Sequence, residues 1–427
     1  MERTIIKDLK DKIGKEVSLF GRILNIRKLG QITFIVLQDY SGTVQTVWET
    51  EVKASVGEAV KIQGTVKADT RSKSGVELGG SHLEIISTNI EELPYDFAGK
   101  DLNLQLNTLL DLRTTSLRHP KAQAVFKLYD LLLEGYEKTM RAEGFTEIKT
   151  PKIIETASEG GANFFKIKYF DQDAYLAQSP QLYKQIMVGV FERVFEIGSV
   201  FRAEPHFTTR HINEFTGLDA EMGFIENFKD VSSMLNKVIK NVFDHIRANG
   251  SEYLAAYNAE IPEVPENIPS IKLADLRKLV KEKYDYTIPE TTDIDPEGER
   301  LACRWAKEEH NSDFVFITNY FWKDKPFYTM PSDETQNETE GFDLLFRGVE
   351  IATGSQRIHD YKMLIKNMEA KGVKAAGLES YLDTFKFAMP PHGGWGLGSE
   401  RIIQLILGLG SIKEAVLFPR DVKRLNP

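Results

Sequence analysis

A single cysteine, Cys303, stands among 427 residues. One thiol excludes an intramolecular disulfide and any cysteine-based zinc site. No stretch approaches ~18 uninterrupted apolar residues, so no membrane span is expected. No tract is rich enough in Pro, Gln or Gly and Ser to read as disordered. The opening MERTIIKDLKDKIGKE has no apolar segment, so no secretory signal is expected. These absences together fit a cytoplasmic protein. An excess of positive charge is also missing: 54 basic against 63 acidic residues give −9. That sign by itself speaks against a nucleic-acid binder. Residues 1–80, however, hold 13 basic and 10 acidic side chains, so the first segment is locally positive. His211, His359 and His392 do not have metal-ligand spacing and read as structural.

What is present is an ordinary globular composition, 41% hydrophobic and 27% charged, in a chain long enough for two or three domains. EVSLFGRIL, ITFIVLQD, GTVQTVWE, EAVKIQGTVKA and HLEIIS, within residues 16–88, alternate Val, Ile and Phe with polar residues. Short strands at this spacing predict a small closed barrel of the OB type, with an SH3-like barrel as the rival. Residues 1–97 form this domain, 98–117 a linker with a short helix, and 118–427 an α+β domain. In the last, Val125, Leu128, Leu132, Tyr136 and Met140 mark one face of a long helix ended by Gly144. FTEIKTPKI then reads as a strand, 229–248 as a helix, and 341–353 and 383–390 as strands. A Gly-rich turn leads into a last helix at 398–409.

Four segments can carry chemistry. FRAEPHFTTRHINEFTGLDAEM (201–222) is a polar loop between two strands. Arg202 and Arg210 offer forked donors to phosphates, Phe215 can stack a base, and Asp219 and Glu221 share a strand face that suits an ammonium group. HGGWGLGSERIIQLILGL (392–409) brings glycines up to a helix start, where Arg401 is disfavoured by the helix dipole unless an anion joins it. It matches neither G-x-G-x-x-G nor a P-loop. FDLLFRGVEIATGSQRIHDY (342–361) holds Asp343 and Glu350, oxygen ligands suited to Mg²⁺ together with substrate phosphates. Seven residues apart, they need a bend or bulge near Arg347-Gly348 to share a face. Arg357 follows a Thr-Gly-Ser turn and fits a carboxylate. Finally, ETASEGGANFF (155–165) can close over a ligand, and LAQSPQLYKQ (176–185) sets Gln181 and Lys184 as a polar pocket floor. Taken singly, each segment also reads as a solvated hairpin, a generic turn or a strand with scattered charges.

Together they resemble the three ordered motifs of class II aminoacyl-tRNA synthetases: the helix at 121–143 with its strand, FRAE with its loop, and GLGSER. QSPQLYKQ, GSQRIH and FPRDVKRLNP resemble the aspartyl branch of archaeal and eukaryotic type. The resemblance implies an antiparallel catalytic sheet of six or seven strands, an OB-fold that reads the anticodon, a homodimer built partly on the first motif, and no membrane. It implies ATP-dependent attachment of L-aspartate to tRNA(Asp), with tRNA(Asn) as a further acceptor left open. It assigns the amino acid to Glu159, Gln181, Lys184, Arg202, Asp219, Thr353 and Arg357. Lys184 and Arg357 hold the side-chain carboxylate, Gln181 helps to orient it, and Asp219 takes the ammonium. ATP falls to Arg202, Ala203, Glu204, Arg210, His211, Ile212, Phe215, Glu350, Gly398, Ser399, Glu400 and Arg401, with Phe215 and Arg401 enclosing adenine. Mg²⁺ falls to Asp343, Glu350 and Thr353, where the family often has Ser for Thr353. In the barrel, Arg27, Phe34 and Gln45 meet the anticodon, and Leu24 and Lys73 bear on tRNA discrimination. A rival asparaginyl enzyme is disfavoured because an amide would leave Lys184 and Arg357 poorly compensated. An inactive tRNA-binding paralogue is disfavoured because the candidate positions are filled.

Overall fold

The computed structural model describes residues 2–72, 74–155, 164–205, 208–290, 293–332 and 337–426. The chain divides into two compact units, Met1–Gln105 and Leu106–Pro427.

The first unit contains β1 (Arg3–Thr4), β2 (Glu16–Leu29), β3 (Ile32–Asp39), β4 (Gly42–Trp48), β5 (Ala59–Ala68) and β6 (Val76–Ser87). Pairing runs β2-β3-β4-β6-β5, and β5 returns to β2, so the sheet closes on itself. One link, β4 with β6, is parallel. This closed five-stranded order is the OB barrel, not the SH3-like rival. Alternation builds it: Ile35 and Leu37 on β3 and Val44 on β4 fill the core, while Phe34, Val36 and Gln45 between them stay half-buried outside.

The second unit opens with helices α1 (Leu106–Asp111), α2 (Arg113–Ser116) and α3 (Pro120–Ala142). His119 caps α3, its Nδ1 accepting from the Lys121 N–H at 3.2 Å, and Pro120 takes the first position, where a missing N–H costs nothing. Next come β7 (Thr146–Glu147), β8 (Ile153–Ile154), β9 (Lys166–Tyr169), β10 (Gln172–Leu176), α4 (Gln181–Phe191), β11 (Arg193–Phe201), β12 (Glu214–Gly223), α5 (Phe228–Asn249) and α6 (Ser251–Ala255). They are followed by β13 (Ser270–Lys272), α7 (Leu273–Tyr284), α8 (Pro296–His310), β14 (Phe314–Thr318), β15 (Gly341–Phe346), β16 (Val349–Arg357), α9 (Tyr361–Ala370), α10 (Glu379–Phe385), β17 (His392–Gly398) and α11 (Ser399–Leu407). β8, β10 and β9 form a small separate sheet.

The main sheet has eight strands in the order β13-β14-β15-β16-β17-β12-β11-β7. Its six inner strands are antiparallel; β13 and β7 join the edges in parallel. The expected six or seven antiparallel strands are thus the middle of a mixed sheet. Helices α3, α5 and α11 pack one face through Leu132, Tyr136, Val238, Phe243 and Ile403. Helices α7 and α8 cover part of the other through Leu276 and Ala302.

Three local expectations need correction. FTEIKTPKI supplies only two-residue strands at each end, because Pro151 lacks an N–H and restricts Thr150 before it. The strand expected at 383–390 is not one: 383–385 end α10, where Tyr381, Leu382 and Phe385 are buried at helical spacing, and 386–390 are irregular. The Thr-Gly-Ser segment before Arg357 lies inside the continuous strand β16; it is not a turn. Among the described residues no helix is long and apolar enough to cross a membrane.

Candidate active site

The Gly-rich run HGGWGLG is a strand, β17, not a phosphate-cradling loop. It pairs with β12 so that Gly394 faces Glu221 and Gly396 faces Asp219. A Cβ on Gly394 would stand 2.3 Å from a Glu221 carboxylate oxygen. These glycines make room for two acidic side chains on the neighbouring strand.

Those acids bind two cations at the floor of an open cleft. Lys184, on α4, donates to Asp219 Oδ1 at 3.0 Å and to the Trp395 carbonyl at 2.8 Å, with Glu221 at 3.5 Å. Arg357, ending β16, donates through Nε to Glu221 Oε1 at 2.8 Å and through Nη2 to Oε2 at 3.3 Å. It also reaches Ser355 Oγ at 2.7 Å and the Gly394 carbonyl at 3.0 Å. All four charged groups are buried. Burial alone would raise the Glu221 carboxyl, but Arg357 and Lys184 outweigh it and hold it below the usual range. The quartet therefore sums to zero without any ligand. This corrects the charge argument against an amide: Asp219 and Glu221 already compensate both cations. The face shared by Asp219 and Glu221 serves two ends: Glu221 is committed to Arg357, and Asp219 reaches the cleft wall beside Lys184.

The other end of the cleft is lined by Arg202, Glu204, Arg210, His211, Ile212, Phe215, Glu350, Gly398, Glu400 and Arg401. The Arg202 guanidinium lies 5.3 Å from the Phe215 ring centroid. Arg401 Nη1 donates to the Glu350 carbonyl at 2.8 Å. Arg210 sits 3.4 Å from Glu299, and His211 3.6 Å from Glu204. Ser399 and Glu400 fasten α11 to β12: Ser399 Oγ donates to the Thr216 carbonyl at 2.9 Å, and Glu400 Oε1 accepts the Thr216 N–H at 2.9 Å. Ala203 is half-buried and absent from the lining.

Asp343, Glu350 and Thr353 come together through hairpin geometry. Arg347 and Gly348, both at positive φ, make a two-residue turn, so Glu350 faces Leu345 across the ladder. Cross-strand partners share a face, and Leu345 shares one with Asp343. The bulge lies elsewhere, at Ile351: Leu344 pairs with Ala352 while Leu345 pairs with Glu350. That extra residue sets Thr353 opposite Asp343 and brings Glu350, Thr353, Ser355 and Arg357 to one face.

The donor set is hard oxygen throughout. Desolvation and then the Asp343 charge push the Glu350 carboxyl up, against the opposing pull of Arg401 and Lys325. Among the described residues no three acidic, His or Cys groups are arranged to hold a metal. Two carboxylates and a hydroxyl suit Mg²⁺ that takes its remaining ligands from phosphates and water. Lys325, which the sequence reading missed, stands 3.3 and 3.4 Å from the two Asp343 oxygens and 3.7 Å from the Tyr320 ring centroid. Glu299, also missed, is pushed up to about 7 by burial and by Glu350. Neither has a local sequence signal; each reaches the site from a remote segment.

In the barrel, the Arg27 guanidinium lies 5.0 Å from the ring of Phe34, its cross-strand partner. Gln45 pairs with Val36, two residues along on the same outer face. A core role for Phe34 is thereby excluded. Leu24 is buried at a bulge where β2 shifts register against β3. Glu159 and Lys73 lie outside the described residues.

The family description "tRNA synthetases class II (D, K and N)" matches residues 105–422, and "OB-fold nucleic acid binding domain" matches 17–93. An aspartate–tRNA(Asp/Asn) ligase of Deinococcus radiodurans is 43% identical, over 100% of this chain and 99% of its own. An aspartate–tRNA(Asp) ligase of Pyrococcus horikoshii is 41% identical over 97% of each chain. The crystal structure of asparaginyl-tRNA synthetase from Pyrococcus horikoshii, complexed with asparaginyl-adenylate, superposes with TM-score 0.92 at 28% identity over 100% of both chains.

Proposed function

The chain belongs to the class II tRNA synthetases, and from that premise we propose that it is an aspartate–tRNA ligase working through an aspartyl-adenylate. The observation that carries this is the leftover chemistry at the floor of the cleft. Arg357 has five N–H donors, and its internal partners occupy four. The remaining N–H and the Lys184 ammonium both seek an acceptor. A carboxylate satisfies both, whereas the amide of asparagine would turn its own NH₂ against one of them.

In this reading Lys184 and Arg357 hold the side-chain carboxylate, Asp219 the ammonium, and Arg202 spans the amino-acid carboxylate and the α-phosphate. Phe215 and Arg401 enclose adenine, and Arg210 and His211 meet the outer phosphates. The α-carboxylate oxygen attacks the α-phosphorus and pyrophosphate leaves. A terminal ribose hydroxyl of tRNA then attacks the activated carbonyl and AMP leaves. No side chain forms a covalent bond; the residues position reactants and offset charge. Mg²⁺, held by Asp343 and Glu350 beside Thr353, would supply further phosphate neutralisation. The barrel reads the anticodon through Arg27, Phe34 and Gln45, and the enzyme acts in the cytoplasm as a homodimer, its mass measurable by light scattering.

ATP–pyrophosphate exchange tests the assignment: aspartate should drive it and asparagine should not. Exchange driven equally by asparagine, or by neither, would overturn it. A second reading, charging of tRNA(Asn) as well, is favoured by the name of the Deinococcus radiodurans relative. Aminoacylation of purified tRNA(Asp) and tRNA(Asn) side by side decides it.

A further inference from the structure

Behind the amino-acid pocket runs a chain of buried hydrogen bonds whose direction is dictated from one end. The Pro390 carbonyl can only accept, and His392 Nδ1 lies 2.9 Å from it. Nδ1 therefore carries the proton. The ring is fully buried, and desolvation pushes its pKa down to about 4, so it is neutral. A neutral ring protonated at Nδ1 offers only a lone pair at Nε2. Gln185 Nε2, 3.0 Å away, must donate to it. That fixes the Gln185 amide, whose Oε1 then faces the Tyr381 hydroxyl at 3.3 Å and Gln181 Nε2 at 3.2 Å. Both donate. Gln181 thus spends its nitrogen inward, and its oxygen is left for the cleft it lines.

We propose that His392 and Gln185 are positioning residues: a one-way relay from Pro390 through them holds the Gln181 amide with its oxygen toward the amino acid, to receive the substrate ammonium beside Asp219. This rests on the aspartate reading and changes one part of it, since Gln181 had been expected to orient the side-chain carboxylate. Turned the other way, the Gln181 amide would set its oxygen against Gln185 Oε1 and its N–H groups against the substrate ammonium. A hydrogen bond to a charged group is worth enough that its loss should cost about tenfold or more in affinity.

The first test uses the unmodified full chain and no substrate. Nitrogen-15 spectra of histidine-labelled protein should show the His392 imidazole protonated at Nδ1; protonation at Nε2 alone would overturn the relay. The second compares two variants in ATP–pyrophosphate exchange. Gln185→Met keeps volume but cuts the relay. It should raise the aspartate KM about tenfold or more, leave the ATP KM unchanged, and leave inhibition by succinate, which is aspartate without its ammonium, unchanged. Gln185→Glu keeps an acceptor toward Gln181 and can be met by a protonated His392. It should hold the aspartate KM to within about threefold of the wild type. Equal weakening of aspartate and succinate by Gln185→Met would mean simple packing damage and would overturn the proposal, as would no change in either. If the wild type ignores aspartate, the substrate reading itself falls, and the spectra still report on the relay.

Discussion

Glu221 has no water contact and two cationic neighbours. Removing its charge leaves Arg357 and Lys184 with Asp219 alone. Glu221→Gln should therefore lower the unfolding free energy by roughly 3 kcal/mol, read from urea denaturation; a loss below ~0.5 kcal/mol, typical of a surface site, would mean the quartet is not a unit. Glu350→Gln tests the other end. It should largely abolish exchange while leaving the melting curve intact, because an amide ligates Mg²⁺ more weakly than a carboxylate. Near-normal exchange by the folded variant would remove Glu350 from the metal site. Glu299 provides a pH signature. Its folded pKa, raised from the ordinary 4.5 to about 7, means that the folded state holds the proton more tightly than the unfolded one. Stability from this group is fully present below pH 4.5 and is lost as pH rises through 7, by about 3 kcal/mol. Glu299→Gln should flatten that part of the ligand-free stability curve, and parallel curves would refute the shift. The residues most legible in the sequence were those in dense local motifs: Lys184, Arg202, Asp219, Phe215, Arg357 and Arg401 all line one cleft. Lys325 and Glu299 were not, because each enters from a segment with no motif of its own. Glu221 was noticed, but its partner Arg357 is 136 residues away, and no local pattern records such a pairing.

At the scale of elements, period-two alternation made the barrel strands readable, and 3.6-residue spacing did the same for α3. The failures were of another kind. The glycine-rich strand β17 shows only Trp395 and Leu397 as an apolar pattern, too short to read, and its glycines make room for the acids of β12. The helix α10 follows a stretch of irregular chain and packs Tyr381 and Phe385 against a core assembled from distant segments. The edge strands β7 and β13 are two and three residues long, too short for any period to show. The outer face of the barrel supports a sharper prediction. Phe34 is not in the core, so Phe34→Ala should leave the thermal midpoint nearly unchanged. If a base stacks on it, tRNA charging should fall about ten- to a hundredfold, with exchange unaffected. Gln45→Ala should behave alike with a smaller effect. Normal charging by both variants would end the anticodon role at these positions.

For the whole molecule, each unit owns a hydrophobic core: Leu19, Ile35 and Ile62 in the barrel, Tyr136, Phe243 and Trp395 in the larger unit. All the cleft residues lie after residue 177. A chain of residues 106–427 should therefore fold and drive aspartate-dependent exchange while losing most tRNA charging. Loss of exchange by the folded fragment would show that the barrel contributes to adenylate chemistry. The bulge at Ile351 decides which changes of length between relatives matter to the site. Because Ile351 is the unmatched residue, a chain lacking it would pair Glu350 with Leu345 and Ala352 with Leu344 in an unbroken ladder. It would present the same acid, hydroxyl and guanidinium to the same side. A one-residue gap there in an aligned sequence leaves the facing of these groups unchanged, whatever it does to the core that Ile351 fills. A one-residue gap between Thr353 and Arg357 would turn the guanidinium out of the cleft, though the two sequences would look equally similar.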